Sequence, residues 1–78
     1  MPTILRVGAY RFFFYANEND EPQHIHVQRE CMLAKFWITP VSLASSYGFS
    51  SQELNRLLNL VEANQQLFVE AWNEFFSA

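Results

Sequence analysis

His24 and His26 are the only histidines in the chain, two positions apart in Glu21-Pro22-Gln23-His24-Ile25-His26-Val27. Side chains alternate faces along a β-strand, so both imidazoles would point one way while Ile25 and Val27 point the other. Imidazole exchanges protons near neutral pH, and a pair on one strand face can divide the roles of acid and base. In RNA cleavage one ring would take the proton of the ribose 2′-hydroxyl and the other would protonate the leaving oxygen. Lys35 or Arg11 would then stabilise charge developing on the phosphate. His26 is the first catalytic candidate and His24 the second. A metal site would need a third or fourth ligand, for which Asp20 or Glu21 is the nearest source. With only two ligands well placed, neither a metal nor another cofactor is expected. The structural alternative has His24 capping its strand and hydrogen-bonding to the acidic loop before it. Two histidines accessible in a basic groove would fit a ribonuclease, and a buried one an interaction module.

Several elements must position these residues. Thr3 to Val7 and Tyr10 to Ala16 flank Gly8-Ala9, and glycine at the first central position suits a two-residue type II′ hairpin. That turn pairs Val7 with Tyr10, Leu5 with Phe12 and Thr3 with Phe14. Residues 17–22 read as a loop of turn formers, charges and a proline. A third strand runs from His24 to Arg29 and a fourth from Leu33 to Thr39. A tight turn at Cys31-Met32 would pair Val27 with Phe36, Ile25 with Ile38, His26 with Trp37 and His24 with Thr39. A four-residue loop is equally compatible. Pro40 should end the sheet, and Val41 to Tyr47 should form a helical turn or two before Gly48. Ser50-Ser51-Gln52-Glu53 is a capping box, after which Leu54, Leu57, Leu58 and Val61 recur at helical spacing. Helical pattern continues through Phe68, Trp72 and Phe76, with a break near Asn64 preferred; the alternative is one long helix with a stripe of Leu54, Leu58, Val61, Gln65, Phe68, Trp72 and Phe75.

The sheet face away from the helices collects Arg6, Arg11, His24, His26 and Lys35, interleaved with Phe13, Tyr15 and Trp37. It would hold three of the five Lys and Arg residues. Cations among rings neutralise phosphates and stack on bases, so Arg6, Arg11, Tyr15, Lys35 and Trp37 are the candidate binding residues. The same rings can instead form a second small core or a dimer interface, with Arg and Lys stems lying around them.

At 78 residues the chain reads as one domain, with a sheet over about 3–39 and helices over about 50–76. Eight Phe supply bulk that a small core needs in the absence of disulfides. A net charge of −3 argues against broad non-specific nucleic-acid binding and leaves room for a local basic face. The single cysteine, Cys31, has no partner for an internal disulfide, and the neighbouring Glu30 disfavours its thiolate. No leader or membrane-spanning run is visible, so a soluble cytoplasmic protein is expected.

Taken together, Met1-Pro2-Thr3-Ile4-Leu5-Arg6, Tyr10-Arg11-Phe12-Phe13-Phe14-Tyr15, Glu21-Pro22 with His24-Ile25-His26-Val27, Ala34-Lys35-Phe36-Trp37, Tyr47-Gly48-Phe49-Ser50, Glu53-Leu54 and Ala71-Trp72-Asn73-Glu74 resemble a bacterial domain-of-unknown-function family, the DUF4160 type. The resemblance implies a small bacterial protein whose gene often lies beside that of a partner from another uncharacterised family. Such pairs suggest a toxin–antitoxin module. Relatives carry a Gly-rich or acidic loop after the His-x-His strand and a Glu before Ala-Lys-Phe-Trp. Here the loop is Glu30-Cys31-Met32 and that position is Leu33, so a role for that carboxylate does not transfer. In outline the chain is also similar to the HicA-type toxins, small RNA-cleaving proteins with a three-stranded sheet and a histidine on a strand.

The expectation is an α+β domain, an antiparallel sheet of three or four strands with C-terminal helices packed on one face. Its expected function is that of a toxin-like component of a two-gene module, RNA-binding or RNA-cleaving and held by a cognate protein encoded nearby. The alternative is a non-enzymatic module, antitoxin or regulatory partner, docking through its aromatic face or sheet edge. Homo-oligomers are compatible with either, and no membrane association is expected.

Overall fold

The structure, a computed structural model, describes residues 3–16 and 20–76. Five strands form one antiparallel sheet in chain order: β1 Thr3–Val7, β2 Tyr10–Phe13, β3 His24–Arg29, β4 Met32–Ile38 and β5 Val41–Tyr47. Two helices follow, α1 Ser51–Ala63 and α2 Gln65–Phe76. The class is α+β, as expected, with five strands where three or four were anticipated.

Gly8 turns the first hairpin with φ 57° while Ala9 keeps a negative φ, as a type II′ turn requires. Val7 pairs with Tyr10 and Leu5 with Phe12. Thr3 pairs with Phe13 rather than Phe14, because the register slips between Thr3 and Leu5 and β2 ends at Phe13. Phe14 leaves the ladder and packs edge-on against Trp72, ring centroids 5.3 Å apart.

The second hairpin turns at Glu30-Cys31 rather than Cys31-Met32, with Glu30 at φ 56°. Val27 therefore faces Ala34, Ile25 faces Phe36, His26 faces Lys35 and His24 faces Trp37. This register is two residues from the expected one. A two-residue shift leaves every side chain on its original face, so hydrophobic pattern alone cannot separate the two.

The expected helical turns at Val41–Tyr47 are instead β5. Thr39-Pro40 is a tight turn linking Ile38 to Val41, and its peptide bond is cis. In that position the missing N–H of Pro40 interrupts no ladder, so the sheet continues past it. Only four of the last five positions of β5 register simply on β4, since the pairing jumps between Lys35, opposite Ser45, and Phe36, opposite Leu43.

The capping box forms. Ser50 Oγ accepts from the Glu53 backbone N–H at 3.1 Å and starts α1. The break comes at Asn64, whose Nδ2 donates to the Leu60 carbonyl at 2.8 Å. Gln65 Nε2 then donates to the Ile38 carbonyl at 2.7 Å, tying the start of α2 to the end of β4. Leu57 and Val61 of α1, and Phe68 and Trp72 of α2, meet Phe12, Phe14, Ile25, Val27, Phe36 and Ile38 in one core. Phe12 stacks on Phe68 at 5.5 Å. Fully buried side chains of this size each contribute roughly 1.5–3 kcal/mol relative to exposure, which is why so few elements suffice. The opposite sheet face carries the histidines.

Candidate functional site

β3 places His24 and His26 on the same side of the sheet, as the alternation predicts, but in different surroundings. His26 is half-buried and lies opposite Lys35 on β4 and Phe13 on β2. Its ring stacks on Phe13 at 5.5 Å and meets Tyr15 edge-on at 4.6 Å. His24 is 0% exposed. Trp72 of α2 covers it at 4.9 Å, Trp37 abuts it at 5.8 Å and His26 at 5.1 Å. Its Nδ1 lies 2.8 Å from the Pro22 carbonyl oxygen. A carbonyl only accepts, so Nδ1 is the donor there and is committed to holding the loop onto the strand.

The histidine neighbours are therefore displaced from those expected: Trp37 stands beside His24 in place of Thr39, and Lys35 beside His26 in place of Trp37. The reason is the two-residue shift of the β3–β4 hairpin. The two histidines do not share one solvent-facing groove, because His24 is enclosed by rings.

Two cations of this face, Lys35 and Arg11, are engaged with neighbours. Lys35 Nζ pairs with Glu21 Oε1 at 2.5 Å and lies 4.7 Å from the centre of the Trp37 ring. Arg11 donates from Nε to Thr3 Oγ1 at 2.8 Å and from a terminal nitrogen to Gln28 Oε1 at 3.2 Å, its guanidinium 4.4 Å over Phe13. Arg6 is exposed, in register with Arg11 on the outer strand. Phe13 is 1% exposed and Trp37 half-buried, while Tyr15 is 37% exposed. Phe13, Tyr15 and His26 thus form a small aromatic cluster outside the main core, the arrangement in which Arg and Lys stems lie around rings.

A shallow recess of about 260 Å³ opens beside this cluster, lined by Tyr15, His26, Leu33, Lys35, Ser45 and Tyr47 among others. It brings together His26, Lys35 and Tyr15 of the expected site. It excludes His24, Trp37, Arg6 and Arg11. Ser45 and Tyr47 were not anticipated, because Val41–Tyr47 did not read as a strand. The signal was present in the alternation of Val41, Ser42 and Leu43 before the aromatic Tyr47. A second unanticipated cluster joins the sheet to α1: Glu53 Oε2 accepts from Arg29 at 2.7 Å and from the Tyr10 hydroxyl at 3.0 Å.

Among the described residues, no group of three or more His, Cys, Asp or Glu side chains is arranged to hold a metal ion. Glu21, considered as a ligand, turns instead to Lys35. Cys31 is exposed in the hairpin turn. Among the described residues no helix is long and apolar enough to cross a membrane.

No curated protein and no solved structure matches the chain. The model of a family described as a domain of unknown function, DUF4160, matches residues 9–73. That match spans most of the sheet and nearly all of both helices, and the chain belongs to the DUF4160 family.

Proposed function

We propose that this chain is a protein-interaction component of a bacterial, cytoplasmic two-gene module of toxin–antitoxin type. It docks a cognate protein on the open sheet face around Tyr15, His26, Lys35 and Tyr47. The observation that carries this reading over paired-histidine catalysis is the 0% exposure of His24, held to the Pro22 carbonyl beneath Trp72. A general acid must reach its substrate within hydrogen-bond distance, and this ring reaches none without rearrangement of the helix above it. Tyr47, 71% exposed, and Tyr15 are the large amphipathic side chains that protein interfaces favour, and Lys35 is already neutralised by Glu21.

The test is co-expression with the product of the neighbouring gene, followed by titration of the separated partners. Tyr47→Ala and Tyr15→Ala should each weaken binding by about tenfold or more while leaving the far-ultraviolet spectrum unchanged. The same proteins are assayed on structured and single-stranded RNA, with His24→Ala and His26→Ala, each with and without chelator. The expected result is no histidine-dependent cleavage.

A second reading, metal-independent RNA cleavage, is favoured by the recess that places His26 across from Lys35 beside two tyrosines. It uses His26 as the single proton-transfer group, Lys35 as the phosphate contact and the tyrosines as stacking platforms. Cleavage lost in His26→Ala and indifferent to chelator would replace the docking reading with this one.

A further inference from the structure

The sheet ends at two edges that are built differently. β1 spans five residues, carries the exposed Arg6 and is interrupted between Thr3 and Leu5. Short length, charge and irregularity all blunt an edge against pairing. β5 spans seven residues, Val41-Ser42-Leu43-Ala44-Ser45-Ser46-Tyr47, with neither a charge nor a proline. Leu43 lies on the helix side of the sheet opposite Phe36, yet is 43% exposed. Beside it runs a groove of about 460 Å³ between β5 and α1, lined by Phe36, Val41, Leu43, Leu54, Asn55 and Leu58 with two serines. Among the described residues no charged side chain lines it.

We propose that the β5 edge and this groove are where a second copy of the chain docks. The two β5 strands pair antiparallel about a two-fold axis beside Leu43, and each Leu43 enters the groove of the other copy. Two-fold pairing sets identical surfaces against each other, so any charge near the axis meets its own like. Within a chain of net charge −3, an edge and groove without charge suit this symmetric contact and offer nothing to a partner recognised by charge.

The jump in the β4–β5 register leaves Ala44 as an extra residue and reverses the alternation of faces after it. Antiparallel pairing about the Leu43–Ala44 peptide then matches faces on both sides of the axis. Ser42 meets Ser45 of the second copy on the open face, and Val41 meets its Ser46 on the helix face. The blunted β1 edge closes the assembly at two copies instead of extending it as a filament. This surface shares β5 with the docking face proposed above, since Ser45 and Ser46 also line that recess, but its apolar anchor Leu43 lies on the opposite side of the sheet.

A seam of this length lies at the low end of stable interfaces, so dissociation falls in the micromolar range, on the order of 1–100 μM. Sedimentation of the full chain from about 1 μM to about 1 mM should pass from monomer to dimer. Amide exchange in Ser42–Ser46 should slow over the same range. Leu43→Glu and Leu43→Lys should each raise the dissociation constant at least about tenfold with the fold intact by circular dichroism, and a mixture of the two should associate again. Leu67→Glu, on an exposed apolar site beside β1, should leave dimerisation unchanged. A monomer at every concentration, exchange that ignores concentration, a dimer indifferent to Leu43→Glu, or loss of equal size in Leu67→Glu overturns the proposal. So does a mixture of the two Leu43 variants that stays monomeric.

Discussion

Both sides of the sheet are rich in aromatic rings, and they are held by different physics. On the helix side, Phe12, Phe14, Phe36 and Phe68 are at 0% exposure, and their energy is transfer out of water plus close packing. On the open side, Phe13, Tyr15 and His26 cover one another, the Arg11 guanidinium lies over Phe13, and Trp37 lies against His24 and the Lys35 ammonium. Their contacts are edge-on rings and cations over rings, worth of order 0.5–1.5 kcal/mol each. A face that needs a second layer to be dry has to be rigid, whereas one that covers itself can be opened locally. The helix face therefore carries most of the stability, and the docking proposed above on the open face would disturb it least.

The sharpest way to break this comparison is to delete a ring from each side. Phe36→Ala removes a 0% exposed side chain between Ile25 and Leu43 and should cost about 3–5 kcal/mol in denaturant unfolding. Trp37→Ala, its neighbour on the other face, should cost less than half as much despite the larger ring. Equal losses would mean that the open face is a full second core. His24 is the intermediate case, because it begins on the open side and is roofed by Trp72 of α2. His24→Ala loses three ring contacts and the bond to Pro22, so about 2–3 kcal/mol is expected, seen as a lowered midpoint with unchanged slope. His26→Ala, half-buried, should lose about half of that. A His24→Ala protein as stable as the parent would return this residue to the list of functional candidates.

How far the sequence leads depends on which signals have a single reading. The face assignment of Leu5, Phe12, Phe14, Ile25, Val27, Phe36 and Ile38 needs only period-two alternation; the last six are buried in the core, and Leu5 packs against it partly buried. The Ser50–Glu53 cap and the break at Asn64 are equally local, each decided by one side chain meeting a backbone group. The β3–β4 register is not, since both candidate registers keep the same faces. The choice between them rests on Glu30 adopting φ 56°, a conformation for which glutamate carries no preference. β5 was hidden because Pro40 looks like a terminator until its place in the turn is known, and because Ser-rich edge strands bury little. The candidate site inherits both difficulties. Its neighbours depend on the β3–β4 register, and Ser45 and Tyr47 depend on β5. The enclosure of His24 depends on where α2 crosses the sheet, which no local pattern in β3 encodes.

The smallest expected effect separates stability from recognition on the open face. Glu21 comes from the loop before β3 and holds Lys35 in an ion pair whose side chains are 41% and 20% exposed. Pairs exposed to this degree contribute about 0.2–1 kcal/mol and are screened by salt, so Glu21→Gln should barely move the unfolding midpoint, and less still at high ionic strength. Its effect on the field of the recess should be larger than its effect on the fold. With the carboxylate gone, Lys35 keeps the Trp37 ring as a partner and loses its Glu21 counter-charge beside His26 and Tyr15. Binding of a short single-stranded RNA, measured by fluorescence anisotropy at low salt, should then tighten several-fold relative to the parent. Lys35→Gln should abolish that gain. If Glu21→Gln leaves RNA binding unchanged while weakening the cognate protein complex, the carboxylate is itself part of the protein-docking surface. The pair would then be read as a recognition element rather than as a lock on a cation.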